Sequence, residues 1–247
     1  MPFSASSSKE SGALEGLTVL SAADRSRFLS AVEAGGQRGW GYYLPYLLTL
    51  NRPGKSAVLV ESTGNGLTLF RWGTKGGKPR LDLCFPSLPL STVGVERALE
   101  RANDFNGDRS ARILRLDDRD VEALGELERL RIRPRKRQFV FDPATYEDLA
   151  GRKLRTVRRH VNAVEAMDEL TTEPLSDEHI AGCRELLRSW RKHHRAQHGT
   201  AGGTGTSRRA LDLVEVAPEL DLRGQVILRG ERVIAYSIGG AIRNGVA

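Results

Sequence analysis

Cysteine is scarce in this 247-residue chain, which carries only Cys84 and Cys183. A disulfide framework or a structural zinc site needs more ligands at closer spacing, so both are excluded and two reduced, buried thiols are expected. Long apolar runs are missing too. Crossing a bilayer takes ~20 consecutive apolar residues, and the best stretch, Tyr42 to Leu50, is too short and contains Pro45. The first residues, Met1 to Gly16, are rich in serine and small side chains but have neither a basic start nor an apolar core. They are no secretory signal and are expected to form a disordered leader. What is present is a globular balance of 39% hydrophobic and 28% charged residues, enough chain for one large domain or two small ones.

Charge is present in quantity, and its placement matters more than its total. The chain nets +7, yet between Arg129 and His160 eleven basic residues face three acids. That one segment holds the whole excess. Such concentration suits a polyanionic partner such as a tRNA end, an anionic lipid surface or a phosphate-rich cofactor, or else a solvated basic face.

Periodicity gives mixed α/β structure. Asp24 to Glu33 is expected as a helix with Phe28, Leu29 and Val32 inward, ended by Gly35-Gly36. Aromatic Trp40 to Leu50 follows. Ala57–Glu61, Leu67–Trp72 and Leu81–Phe85 are strand-like, with a Gly64-Asn65-Gly66 turn between the first two. A helix over Val93 to Phe105, a strand over Ile113 to Leu116, a helix capped by Asp117 or Asp118 through Leu130, and a strand over Arg137 to Phe141 complete a first part, residues 17–142. The second part, 143–247, opens with a basic helix from Tyr146 to about Met167. A helix from Asp177 to His198 follows, capped by Ser176, with Ile180, Cys183, Leu187, Trp190 and His194 as its inward stripe. Gly199 to Ser207 is a loop without apolar anchor, Arg208 to Val216 a short helix, and Gln225–Arg229, Gly230-Glu231 and Arg232–Gly239 a hairpin.

The basic helix carries the most information. At 100° per residue, Leu154, Val157, Val161 and Val164 form one apolar stripe, and Arg152, Arg155, Arg159 and Asn162 lie opposite, with Arg158 and His160 at the flanks. Such a helix can dock on a core and still offer guanidinium forks, which match phosphate oxygens two at a time. By physics alone it suits RNA or a lipid surface.

The run Gly151-Arg-Lys-Leu-Arg-Thr-Val-Arg-Arg-His-Val-Asn162 resembles a signature of the phosphatidylglycerol lysyltransferase C-terminal domain, with Gly151, Arg158, His160 and Asn162 in place and departures at Leu154, Arg159 and Val164. Val233 to Gly239 is similar to a strand motif of that family, although Gly240 stands where the family has an acid. Trp40-Gly-Tyr-Tyr-Leu-Pro-Tyr46 is a third match, so the resemblance runs from about Trp40 onward. It implies tandem lobes of the GNAT acyltransferase fold joined by the basic helix. It also implies transfer of an aminoacyl group, lysyl or alanyl in type, from charged tRNA to phosphatidylglycerol, with no other cofactor. The expected place is the cytoplasm, peripheral to the inner face of the membrane.

Because the donor is already an activated ester, the protein has to place the acceptor hydroxyl, help remove its proton and stabilise an oxyanion. His160 fits a general base or a structural histidine, Asn162 a substrate-orienting group or a backbone partner. Arg152, Arg155, Arg158, Arg159 and Ser237 are candidates for substrate phosphate, Arg158 equally for a buried carboxylate. Tyr236, on the opposite side of its strand from Ser237, is expected in the core. No metal is expected: His194 and His198 have chelating spacing, but Arg191, Lys192 and Arg195 surround them and no third ligand is near. The Gly199–Thr206 run lacks a Walker lysine, and no coenzyme A pattern is visible. An N-acyltransferase with another donor, or a non-catalytic RNA- or lipid-binding module, are the alternatives. GNAT lobes continue past the last hairpin strand, so the second lobe is expected to be truncated and that strand to lie bare at a sheet edge.

Overall fold

The computed structural model describes residues 12, 14–63, 66–125, 127, 130–134, 143–199, 204–220 and 222–241. The chain forms two compact units. One comprises Met1–Ile132, Gly205–Leu222 and Gly240–Ala247, the other Arg133–Thr204 and Arg223–Gly239. Both are mixed α/β, each built on an antiparallel sheet.

The first unit is centred on four strands in the order β1-β2-β3-β4: β1 (Thr18–Val19), β2 (Ala57–Thr63), β3 (Gly66–Lys75) and β4 (Lys78–Leu83). The run Ala57-Val-Leu-Val60 is apolar at every position because both sheet faces are covered. Ala57 and Leu59 point to one side, where Phe70, Leu81 and Leu83 meet Ala98, Ala102 and Phe105 of helix α3 (Thr92–Asn106). Val58 and Val60 point to the other, with Leu67, Leu69 and Phe85 against Phe28 and Val32 of α1 (Arg25–Gly35) and Leu44, Leu47 and Leu48 of α2 (Leu44–Leu48). Ala217 and Leu220, just after α7 (Thr204–Val216), join that second core. Gly36 ends α1 at φ 71°, a left-handed position that glycine adopts without strain. The expected helices over 24–33 and 93–105 and the first three strands are all present, the strands running longer than expected.

The segment around Ile113 departs from expectation. It is no strand but one parallel bridge to Leu83. Its neighbour Arg112 is seized by Asp82 instead: the Arg112 backbone N–H donates to Oδ1 at 3.0 Å and Nη2 to Oδ2 at 2.6 Å. Asp117 caps α4 (Asp118–Leu124) as expected, accepting from the Asp120 N–H at 3.0 Å. That helix stops at Leu124, before Gly125, so Leu127 and Leu130 lie beyond it. The expected strand over Arg137–Phe141 falls outside the described residues.

The second unit has three strands in the order β5-β6-β7: β5 (Leu170–Pro174), β6 (Arg223–Arg229) and β7 (Arg232–Gly239). The hairpin of β6 and β7 is where the sequence places it, with Gly230 at φ 57° in the turn. β5 was not expected, because Thr171, Thr172 and Glu173 are exposed and give no apolar alternation. β7 is an edge strand of this sheet. Helix α6 (Asp177–His198) packs on β7. Gly182 allows the close approach: a Cβ there would stand 2.7 Å from Val233 Cγ2. Ser176 precedes α6 as expected, its N–H donating to His179 Nδ1 at 3.2 Å.

Two helical expectations need correction. The basic helix, α5, spans Arg155–Glu165 and not Tyr146 to Met167. Leu149 (φ 51°) and Gly151 (φ 83°) turn the backbone out of the right-handed region, so the helix starts after them. The stripe of α6 fails at its far end: Ile180, Cys183 and Leu187 are buried, but Trp190 is 46% exposed. In the Gly/Thr-rich stretch, Thr204 to Ser207 form the first turn of α7, and 200–203 lie outside the described residues.

Candidate functional site

The candidate residues of the sequence concentrate on α5, and the helix presents them to solvent. No residue of α5 is buried. On its polar side Arg155, Arg159 and Asn162 are exposed, with spacings of three and four that set them on one face. Arg158 is half-buried and donates from Nη1 to the Leu149 carbonyl, which ties the helix to the turn before it. Among the described residues none of Arg152, Arg155, Arg158 and Arg159 pairs with a carboxylate. Arg152, Arg155 and Arg159 are exposed, while Arg158 is engaged by the Leu149 carbonyl.

The expected apolar stripe is only partly covered. Leu154 and Val161 are half-buried, whereas Val157 is 37%, Val164 41% and, just beyond, Met167 47% exposed. Exposed apolar side chains thus lie beside the arginine face of the same helix. Arg152 is exposed but precedes the helix in the bend at Gly151, so it does not share the face computed for it from a continuous helix. His160 is exposed.

Ser237 stands on β7, opposite Gln225 of β6, and is exposed. Its neighbour Tyr236 is half-buried, and burial raises its phenol above the ordinary range. The α5 candidates thus form one surface, and Ser237 belongs to a separate element of the same unit. On α6 the rings of Trp190, His194 and His198 stack at 4.7 and 4.6 Å between centroids. Among the described residues no group of three His, Cys, Asp or Glu side chains could hold a metal.

Neither thiol is built as a nucleophile. Burial pushes Cys84 up to about 12 and also raises Cys183. An open cleft beside α3 is rimmed by Glu96, Glu100, Asp104 and Asp108, with Arg109 as its one basic residue among those described, a net acidic lining that disfavours anions. The feature that sequence reasoning missed lies elsewhere in the first unit. Arg52, Arg71, Arg115 and Arg209 come from four separate segments and lie close enough to perturb one another. Their sequence separation hides them, since a spacing motif sees only neighbours.

The fold is similar to that of a solved protein of unknown function from Bacteroides thetaiotaomicron, with a TM-score of 0.63 at 17% identity, covering 90% of this chain and 74% of that one. No curated protein matches. Among the described residues no helix is long and apolar enough to cross a membrane. The sequence model of the phosphatidylglycerol lysyltransferase C-terminal family matches residues 94–246, a stretch that holds α5 and the β6–β7 hairpin together with their motifs. The chain belongs to the phosphatidylglycerol lysyltransferase C-terminal family.

Proposed function

We propose that this chain is an aminoacyltransferase domain that moves an aminoacyl group, lysyl or alanyl in type, from charged tRNA to phosphatidylglycerol or a related acceptor. The observation that carries the reading is α5: a solvent-facing arginine face, unpaired with carboxylates among the described residues, inside the region matched by the family. Both substrates are polyanions, and guanidinium forks bind their phosphates bidentately. The exposed Val157, Val164 and Met167 suit the same helix to a lipid surface at the cytoplasmic face of a membrane.

In this reading the two units are tandem GNAT-like lobes. Arg155 and Arg159 hold phosphate, and Arg158 positions the helix through the Leu149 carbonyl. His160 removes the proton from the acceptor hydroxyl as it attacks the ester carbonyl, and Asn162 orients the reacting groups. The protonated His160 returns that proton to the tRNA 3′ oxygen as the old ester bond breaks and the new one forms, so no further cofactor is needed.

The test mixes the purified chain with tRNA charged with labelled lysine or alanine and vesicles containing phosphatidylglycerol. Labelled lipid that disappears in His160→Ala supports the reading. Vesicle binding with no aminoacyl lipid, for several amino acids, reduces the chain to a binding module.

A further inference from the structure

In the first unit four guanidinium groups gather where α2 ends. Arg71, on β3, donates from Nη1 to the Leu50 carbonyl at 2.7 Å. Arg209, on α7, donates from Nε to the Thr49 carbonyl, and Arg115 donates from Nη2 to the Tyr46 hydroxyl while lying 4.9 Å over that ring. Arg52 follows α2 and is exposed. The carbonyls at the end of a helix attract cations, which accounts for part of the arrangement. It leaves two things over. Arg209 Nη2 is buried and has no hydrogen-bond partner. Among the described residues no carboxylate is in salt-bridge contact with any of the four, and Asp212, one turn along α7, is the carboxylate that acts on Arg209 from further off.

The space between them has a definite location. A Cβ placed on Gly205 would stand 3.5 and 3.6 Å from the two terminal nitrogens of Arg209 and 3.8 Å from Arg52 Nη2. Both guanidiniums therefore converge beside the bare α-carbon of Gly205. Gly205 lies in the first turn of α7, whose backbone N–H groups form the positive end of the helix. Burial, reinforced by the neighbouring guanidiniums, lowers the proton affinity of Arg71 and Arg209, with Asp212 only partly offsetting this at Arg209.

We infer that Arg52 and Arg209, at the first turn of α7 and flanked by Arg71 and Arg115, form a binding site for a phosphate-type oxyanion. A tetrahedral oxyanion offers several acceptors to converging forks and helix N–H groups at once, and it neutralises the cluster. The ligand is inorganic phosphate or a small phosphate monoester, for which glycerol 3-phosphate is the probe. The site is built by residues of the first unit and does not depend on the transferase reading.

Calorimetric titration of inorganic phosphate into the purified chain at low ionic strength tests the inference, with glycerol 3-phosphate as the second arm. Saturable one-to-one binding is expected, weakened at least about tenfold by Arg52→Gln, which loses one charge-assisted donor at an exposed position. Gly205→Leu is expected to weaken it as well by filling the space, and leucine favours the helix, so folding is kept. Tighter binding of glycerol 3-phosphate assigns the site to an esterified phosphate, and equal or tighter binding of inorganic phosphate assigns it to the free ion. Absence of saturable heat at millimolar phosphate overturns the inference. So does binding that both variants leave unchanged.

Discussion

The two units stabilise themselves in different ways. In the first, a sheet is covered on both faces, and side chains such as Phe28, Phe70, Leu69 and Phe85 are fully removed from water. In the second, the buried apolar residues among those described are Ile180, Cys183, Leu187, Val226, Leu228 and Val233, all between α6 and one side of its sheet. The other strand and helix of that unit are largely solvent-facing: β5 is exposed over 171–174, and α5 has no fully buried residue. Burying one large apolar side chain contributes about 1.5–3 kcal/mol, so the first unit has much the larger reserve. The second leaves more of its surface in solvent, which is the surface the proposed transfer reaction would use.

The comparison can be broken most severely from the buried side. Phe85→Ala removes a ring that Tyr42 and Phe28 contact at 4.5 and 6.4 Å between centroids. It should cost about 3–5 kcal/mol, read as a lowered urea midpoint with an unchanged slope. A smaller loss is expected from Gly182→Ala in the second unit. The new methyl group meets Val233 and should cost about 1–3 kcal/mol. Hydrogen exchange should then accelerate in α6 and β7 while β2 and β3 stay protected. Equal acceleration in both units would contradict their separate cores.

A pH series sharpens the picture of the first unit. Burial alone would raise the Asp82 carboxyl, but the guanidiniums of Arg112 and Arg80 outweigh it and hold the group below its ordinary range. A depressed carboxylate contributes stability that is present above the ordinary value of about 4 and is lost as pH falls through its lower folded value. The stability difference between wild type and Asp82→Asn should therefore be largest near neutrality and shrink in acid. Asp120 shifts upward through burial, opposite in sign, but it is common to both proteins and cancels in the difference.

Much of this was legible in the sequence. The strand begun at Ala57 and expected to end at Glu61, the strand Arg232–Gly239, the boundaries of α6 and a cap at Asp117 or Asp118 follow from local pattern, since each is decided by residues within a few positions. Three things were not. The start of α5 depends on left-handed backbone at Leu149, a residue with no preference for it. Exposure of Trp190 depends on where the core beneath α6 ends, and helical spacing does not encode that. The arginine cluster depends on α7 joining the first unit, a long-range contact from a segment whose own pattern says only that it is amphipathic. For the candidate site, the residue types on α5 were visible, but the absence of carboxylate partners among the described residues needed coordinates.

The smallest expected effect on stability is the most telling for function. Replacing Arg155 and Arg159 together by alanine should change unfolding free energy by no more than about 0.5 kcal/mol, because both are exposed. Binding to vesicles of anionic phospholipid should fall sharply, since each arginine near such a surface contributes about 1 kcal/mol and two contribute about a thirtyfold change in affinity. Co-sedimentation of wild type and this double variant with phosphatidylglycerol vesicles over a range of salt is the direct measurement. Steeply salt-dependent binding by wild type, weakened and flattened in a variant of unchanged stability, is the predicted result. Equal binding by the two proteins would contradict the role given to α5.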